Sequence, residues 1–142
     1  MFQLHPRLAE DSIVIGRFDL SLLLLSKDAN YPWCILVPQV EDDEAFEIHH
    51  LSEVEQLQLM RESCRLSEVM TSLFDAHKMN VAALGNVVRQ LHVHHIARFE
   101  EDAAWPQPIW GKLPAKAYRA DELAERIKRL QNALVGEGFI VI

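Results

Sequence analysis

The stretch from Ser12 to Val37 reads "SIVIG", "RFDLSLLLL" and "WCILVP", three runs of branched or large apolar residues reached before any long helical pattern begins. Short runs of this kind bounded by Gly, Pro, Asn or Asp are strand signals. Gly16 separates the first two runs, and "SKDANYP", with Asp28, Asn30 and Pro32, supplies a turn at a sheet end. Ser52 then opens a helix with Glu55 three residues later, the pattern in which each side chain satisfies a free backbone N–H near the helix start. Val54, Leu57, Cys64, Val69, Leu73 and Phe74 recur near helical spacing and predict a helix from about Glu53 to about His77 with one face on the sheet. "NVAALGN" and "VVRQLHVHHIARF" follow as two more strand-like runs, broken at Gly85 and Asn86. A loop, "EEDAAWPQPIWGKLP", leads to a last amphipathic helix, Asp121 to Leu134, ended by Gly136. Strands collected first, one long helix, more strands and a closing helix predict α+β, not the strict alternation of a doubly wound fold. The expectation is a mainly antiparallel sheet of about five strands, and a chain of 142 residues is the size of a single domain, 1–142.

Charge and composition narrow the partners. The formal net charge is -7, with no Lys/Arg-rich block, so neither nucleic acid nor an anionic membrane is an expected partner, while a local pocket for a small phosphorylated ligand is compatible with it. The opening "MFQLHPRLAEDSIV" has no basic and apolar leader pattern, and the longest apolar run, Leu22 to Leu25, falls far short of a membrane span. A cytoplasmic location is expected. Cys34 and Cys64, in apolar contexts without metal or redox spacing, are read as buried free thiols, and the acidic "VEDDEAFE" as a solvated loop.

The segment "RQLHVHHIARF" carries the chemistry. In a strand, residues two apart share a face at about 6.5 to 7 Å. Gln90, His92, His94, Ile96 and Arg98 therefore share one face, and Leu91, Val93, His95, Ala97 and Phe99 the other, which has the composition of a core. His95 is expected to be structural, its ring buried with its nitrogens satisfied. His92 and His94 are presented together, and two chemistries use such a pair. Both rings could hold a metal, which requires a third protein ligand that no spacing in the sequence nominates. Alternatively, one imidazole attacks phosphorus while its neighbour hydrogen-bonds the phosphoryl oxygens. "LGNVV" just upstream suits the second option, since glycine lets a backbone approach a phosphate closely.

"NVAALGNVVRQLHVHHIARF" resembles the signature region of the histidine triad family of nucleotide hydrolases and transferases, whose motif is His-φ-His-φ-His-φ-φ. "DANYPWCILVPQ" is similar to that family's Asp, Pro, Gly-His, Leu-Val-Ile-Pro segment, and the resemblance spans most of residues 12–99. Laid on the motif, Gln90 stands at the first histidine, His92 at the second and His94 at the third. The resemblance implies that His92 is the nucleophile and that His94 contacts the phosphate. It implies that Asn80, Gly85 and Asn86 line the phosphate pocket and that Asp28 holds the ribose. It also implies a homodimer. There are two departures: Gln90 itself, and Trp33 where the Gly-His pair has its histidine, preceded by Pro32. Glutamine can hydrogen-bond a neighbouring imidazole but carries no proton at neutral pH. Trp33 is open between a stacking surface for a base and a core residue. Trp105 and Trp110 are expected to cover the sheet or to reach a neighbouring subunit, and Asp102 is read as a loop or turn residue.

The implied function is hydrolysis of nucleotidyl phosphoanhydrides or phosphoramidates, such as dinucleoside polyphosphates, through a nucleotidyl-histidine on His92, with Gln90 and His94 completing the catalytic set. It needs neither metal nor cofactor. The alternatives are a nucleotide-binding module with little turnover, suggested by Gln90 and Trp33, and a metal-dependent enzyme using His92 and His94.

Overall fold

The computed structural model describes residues 1–41 and 45–142, so part of the acidic stretch "VEDDEAFE" lies outside the described residues. It is α+β, with helices α1 (Pro6–Asp11), α2 (Glu53–Phe74) and α3 (Ala120–Leu134) and strands β1 (Ser12–Phe18), β2 (Ser21–Ser26), β3 (Trp33–Pro38), β4 (Lys78–Ala82), β5 (Val93–Arg98) and β6 (Phe139–Val141). The strands form one sheet in the order β4-β5-β3-β2-β1-β6, and every neighbouring pair is antiparallel. Among the described residues no helix is long and apolar enough to cross a membrane.

Six strands stand where about five were expected. The extra one, β6, is three residues long and pairs with the free edge of β1. Gly16 does not end a strand as expected. It lies inside β1 at a register shift between Val14 and Gly16, and a Cβ there would run into the Phe139 ring and the Ile140 carbonyl, so the glycine lets β6 close on β1. The actual hairpin turn is at Asp19 and Leu20, between β1 and β2.

The "SLLLLS" of β2 is buried throughout, because both faces of the sheet are covered. On one face Leu23, Leu25, Cys34, Leu36, Leu91, Val93 and Ala97 pack with Leu59, Leu66 and Met70 of α2 and Leu130 and Leu134 of α3. On the other, Leu8 of α1 joins Leu22, Leu24, Ile35, Val37 and Val88, while Ala104 and Ile109 of the tail loop cover Ile96 and Tyr31.

Helix α2 starts with the reciprocal Ser52–Glu55 cap. It stops at Phe74, three residues short of the predicted end, because Asp75 takes a left-handed conformation at φ 52°. Its inward face also differs from the expected one. Val54 and Leu57 are exposed, and the buried row is Leu59, Glu62, Leu66 and Met70. A buried acid interrupted the apolar pattern: Glu62 accepts hydrogen bonds from the backbone N–H groups of Leu20 (2.8 Å) and Ser21 (3.0 Å), pinning the β1–β2 hairpin to α2. Cys64, on the outward side of this helix, is exposed, against the expected burial, whereas Cys34 is buried and its thiol is pushed up to about 12 by that burial.

Candidate active site

β3 pairs with β5 in the register Trp33↔Ile96 and Ile35↔His94, and β4 pairs with β5 in the register Asn80↔Ile96 and Ala82↔His94. Alternation therefore places Trp33, Ile35, Asn80, His94 and Ile96 on one face, away from α2. β5 begins only at Val93, so residues 83–92, with Gln90 and His92, form a connection, not the continuous strand read from "VVRQLHVHHIARF". The alternation still holds across it: Leu91 joins the helix-side core, while His92 and His94 line a cavity of about 360 Å³ on the other face with Gly85, Asn86, Trp33 and Trp110. Gly85 makes the turn there with φ 70°, a conformation costly for a residue with a Cβ.

The two imidazoles are 6 % exposed each, and their ring centroids lie 4.9 Å apart. Their partners set opposite tautomers. His92 Nδ1 lies 2.7 Å from the backbone carbonyl of Gln90, which can only accept, so Nδ1 carries the proton and Nε2 offers a lone pair. The indole Nε1–H of Trp33 donates to His94 Nδ1 at 3.0 Å, so the proton of His94 is on Nε2. One ring thus presents an acceptor and the other a donor. Burial keeps both neutral: it pushes His94 down to about 3, with His92 and His95 adding to the effect, and it lowers His92, against the Gln90 carbonyl and together with His5. His95 points to the opposite face, fully buried. Its Nδ1 meets the Val93 carbonyl at 3.0 Å, its Nε2 meets Ser63 Oγ of α2 at 2.7 Å, and burial lowers it to about 4.

Several residues named from the sequence stand elsewhere. The Gln90 side chain does not reach an imidazole: its Oε1 accepts from the His5 backbone N–H and its Nε2 donates to the Gln3 carbonyl, both at 2.8 Å, and only its main chain touches His92. Asn80 is on the histidine face, but one row away from His94, where its Oδ1 accepts from Arg98 Nη1 at 2.7 Å; it does not line the cavity. Asp28 lines an adjoining cavity of about 560 Å³ that shares Asp11, Ser26, Trp33 and Trp110 with the first. Its Oδ1 accepts from the Asn30 and Lys116 backbone N–H groups and so ties the β2–β3 turn to the tail loop.

Asp102 is more than a turn residue. It caps the Phe99 and Ala104 N–H groups and also forms a two-pronged ion pair with Arg98, at 2.8 and 3.0 Å, in which the side chains are 1 % and 5 % exposed. Arg98 Nη2 also donates to the Gln107 carbonyl at 2.8 Å, so the end of the histidine strand anchors the loop whose Trp110 packs edge-on against His94. Sequence reasoning left Trp33 open, and β3–β5 register decides it: half-buried, it belongs to the site through its N–H. It also overlooked Arg7 and Ser26, which line the cavity from α1 and β2 and carry no motif. Among the described residues no three His, Cys, Asp or Glu side chains gather as a metal-holding group.

An acceptor imidazole and a donor imidazole share a cavity with a glycine turn, on an antiparallel sheet backed by a long helix. Residues 7–101 match the HIT domain family, and the chain belongs to that family of nucleotide-binding proteins and hydrolases. It is similar to the crystal structures of histidine triad proteins from Bradyrhizobium japonicum (49% identity, TM-score 0.90, 94% of this chain and 98% of that one) and Marinobacter aquaeolei VT8 (48%, 0.90, 94% and 96%). A histidine triad protein from Sinorhizobium meliloti 1021 is 38% identical, with a TM-score of 0.90 over 94% of this chain and 98% of that one. No curated protein matches the chain.

Proposed function

We propose that the protein hydrolyses nucleotidyl phosphoanhydrides or phosphoramidates, dinucleoside polyphosphates among them, in two steps through a nucleotidyl-His92 intermediate. The observation that carries this reading is the pair of opposed tautomers in one cavity. His92 Nε2 attacks the α-phosphorus as the bond to the second phosphate or the amine breaks and its electron pair departs with that leaving group, and the Nδ1–H held by the Gln90 carbonyl stabilises the positive charge that forms on the ring. His94 Nε2–H and backbone N–H groups near Gly85 and Asn86 stabilise the phosphoryl oxygens. Water then attacks the phosphorus, the P–N bond pair returns to His92, and a nucleoside monophosphate leaves. Asp28, in the adjoining cavity, is the candidate for the ribose hydroxyls, and Asn80 acts on the site only through Arg98. The reaction uses no metal or cofactor, and we place it in the cytoplasm. The implied homodimer would add its second copy at β4, which is an edge of the sheet.

A turnover screen with dinucleoside polyphosphates and adenosine phosphoramidates tests the reading. His92→Ala should abolish turnover while leaving nucleotide binding within a few-fold, and protein denatured without acid during turnover should show nucleotidyl mass on the His92 peptide. Turnover at a comparable rate in His92→Ala refutes the mechanism. A second reading, a nucleotide-binding module with little turnover, has one observation in its favour: Gln90, at the first motif position, spends its amide on Gln3 and His5. Tight binding without turnover selects it.

A further inference from the structure

We infer that this site expels leaving groups that depart as anions, so that its substrates are nucleotide phosphoanhydrides and not phosphoramidates of basic amines. The inference rests on the nucleotidyl-transfer reading and narrows its substrate class.

The two bond types differ in what they ask of the protein. When His92 Nε2 attacks the α-phosphorus of an anhydride, the P–O bond pair goes to the bridging oxygen, and the second phosphate leaves as a stable anion without taking a proton. When it attacks a phosphoramidate, the P–N bond pair goes to nitrogen, which must be protonated as the bond breaks, because an amide anion does not leave. Water completes either reaction: its oxygen bonds to phosphorus, the P–N bond pair returns to His92 Nε2, and one proton passes to solvent. Only the amine requires an acid in the first step.

Among the described residues, neither Gln90 nor either of the two imidazoles is placed to be that acid. Gln90, at the first motif position, has no proton to give, and both ends of its amide are committed to residues 3 and 5. His92 Nδ1–H is bonded to the Gln90 carbonyl, on the side of the ring away from the reacting nitrogen. His94 could act as an acid only as imidazolium, which needs a second proton on Nδ1; the Trp33 indole N–H occupies that direction at 3.0 Å and would face another N–H. Trp33 thus holds His94 as a hydrogen-bond donor that cannot become a proton donor. Burial acts the same way. His5 lines the neighbouring cavity beyond Gln90, not the one that holds His92 and His94. The lining does include a cation suited to an anionic product: Arg7 of α1 makes no ion pair with a described residue. Asp11, one turn on, is the only carboxylate among the described residues of the lining.

The test compares kcat/KM of the wild-type protein for two substrates with the same nucleoside, diadenosine tetraphosphate and an adenosine 5′-N-alkylphosphoramidate. Loss of general-acid assistance is worth about 100-fold or more, and the anhydride should be favoured by at least that factor. A series of aryl esters of adenosine monophosphate adds a measurement that needs no variant: rates should fall steeply as the pKa of the leaving phenol rises. Comparable kcat/KM for anhydride and alkylphosphoramidate, or rates independent of phenol pKa, overturns the inference while leaving His92 as nucleophile. Absence of turnover with every substrate overturns the hydrolase reading, and the inference with it.

Discussion

Asp102→Ala removes the carboxylate that fastens the tail loop to the histidine strand. The Arg98 guanidinium, its side chain 1 % exposed, would be left with the Asn80 Oδ1 and the Gln107 carbonyl, two neutral acceptors at 2.7 and 2.8 Å. Breaking a buried ion pair from one side costs about 3–5 kcal/mol, because the remaining charge is stranded without water. The Phe99 and Ala104 N–H groups also lose their acceptor. We therefore expect a loss of about 4 kcal/mol, a large share of the roughly 5–15 kcal/mol that holds a domain together. At roughly 3 °C per kcal/mol for a chain of this size, Tm should fall by about 12 °C. The assay is urea unfolding at pH 7 followed by circular dichroism, with Arg98→Met and the double variant alongside. The double variant should be more stable than Asp102→Ala alone, since methionine removes the stranded charge and keeps an apolar stem. Asp102→Ala destabilised by less than about 1 kcal/mol, or a double variant destabilised by the sum of the singles, would refute the buried-pair reasoning.

His95→Ala should lower stability by about 1–3 kcal/mol, by removing a buried ring and leaving Ser63 Oγ unpaired, with little change in nucleotide affinity; an unfolding curve and a binding isotherm separate the two effects. Stability should fall as the pH drops from 6.5 towards 4, because His94 and His95 bind protons near 6.5 when unfolded but only near 3 and 4 when folded. The unfolded chain then takes up more protons, and the urea midpoint at pH 5 should lie below that at pH 7 in the wild type and move less in His95→Gln. Trp33→Phe should leave the fold intact but release His94 Nδ1, so that ¹⁵N NMR of the imidazole shows a mixture of tautomers in place of one; an unchanged spectrum would remove Trp33 from the site. Gln90→Ala should increase hydrogen exchange in residues 2–5 and cost about 1 kcal/mol, by losing its two bonds to that segment.

What was legible in the sequence is what short-range periodicity encodes. Alternation alone put His92 and His94 on one face and His95 on the other, and the Ser52–Glu55 spacing located the start of α2. The "SLLLL" run announced a strand, and the order of elements announced α+β with an antiparallel sheet. Motif resemblance added the family, because the residues of its signature are contiguous in the chain.

The remainder depended on which strand lies beside which, and no local pattern encodes that. Trp33 is 61 residues from His94, and only the β3–β5 register turns an ambiguous aromatic into the donor that sets a tautomer. Gln90 looked like a degenerate motif position until the N-terminal segment came to lie against it, 85 and 87 residues away in the chain. Glu62 carried no signal and Asp102 read only as a loop or turn residue, because an isolated charge in a sequence defaults to the surface; burial became affordable where folding brought two hairpin N–H groups to one and a guanidinium to the other. The sequence by itself determined the order of the main elements and the face that each histidine of the motif takes. Tertiary structure decided which polar groups meet, since a hydrogen bond between distant segments acquires its partner only when the chain has closed around it.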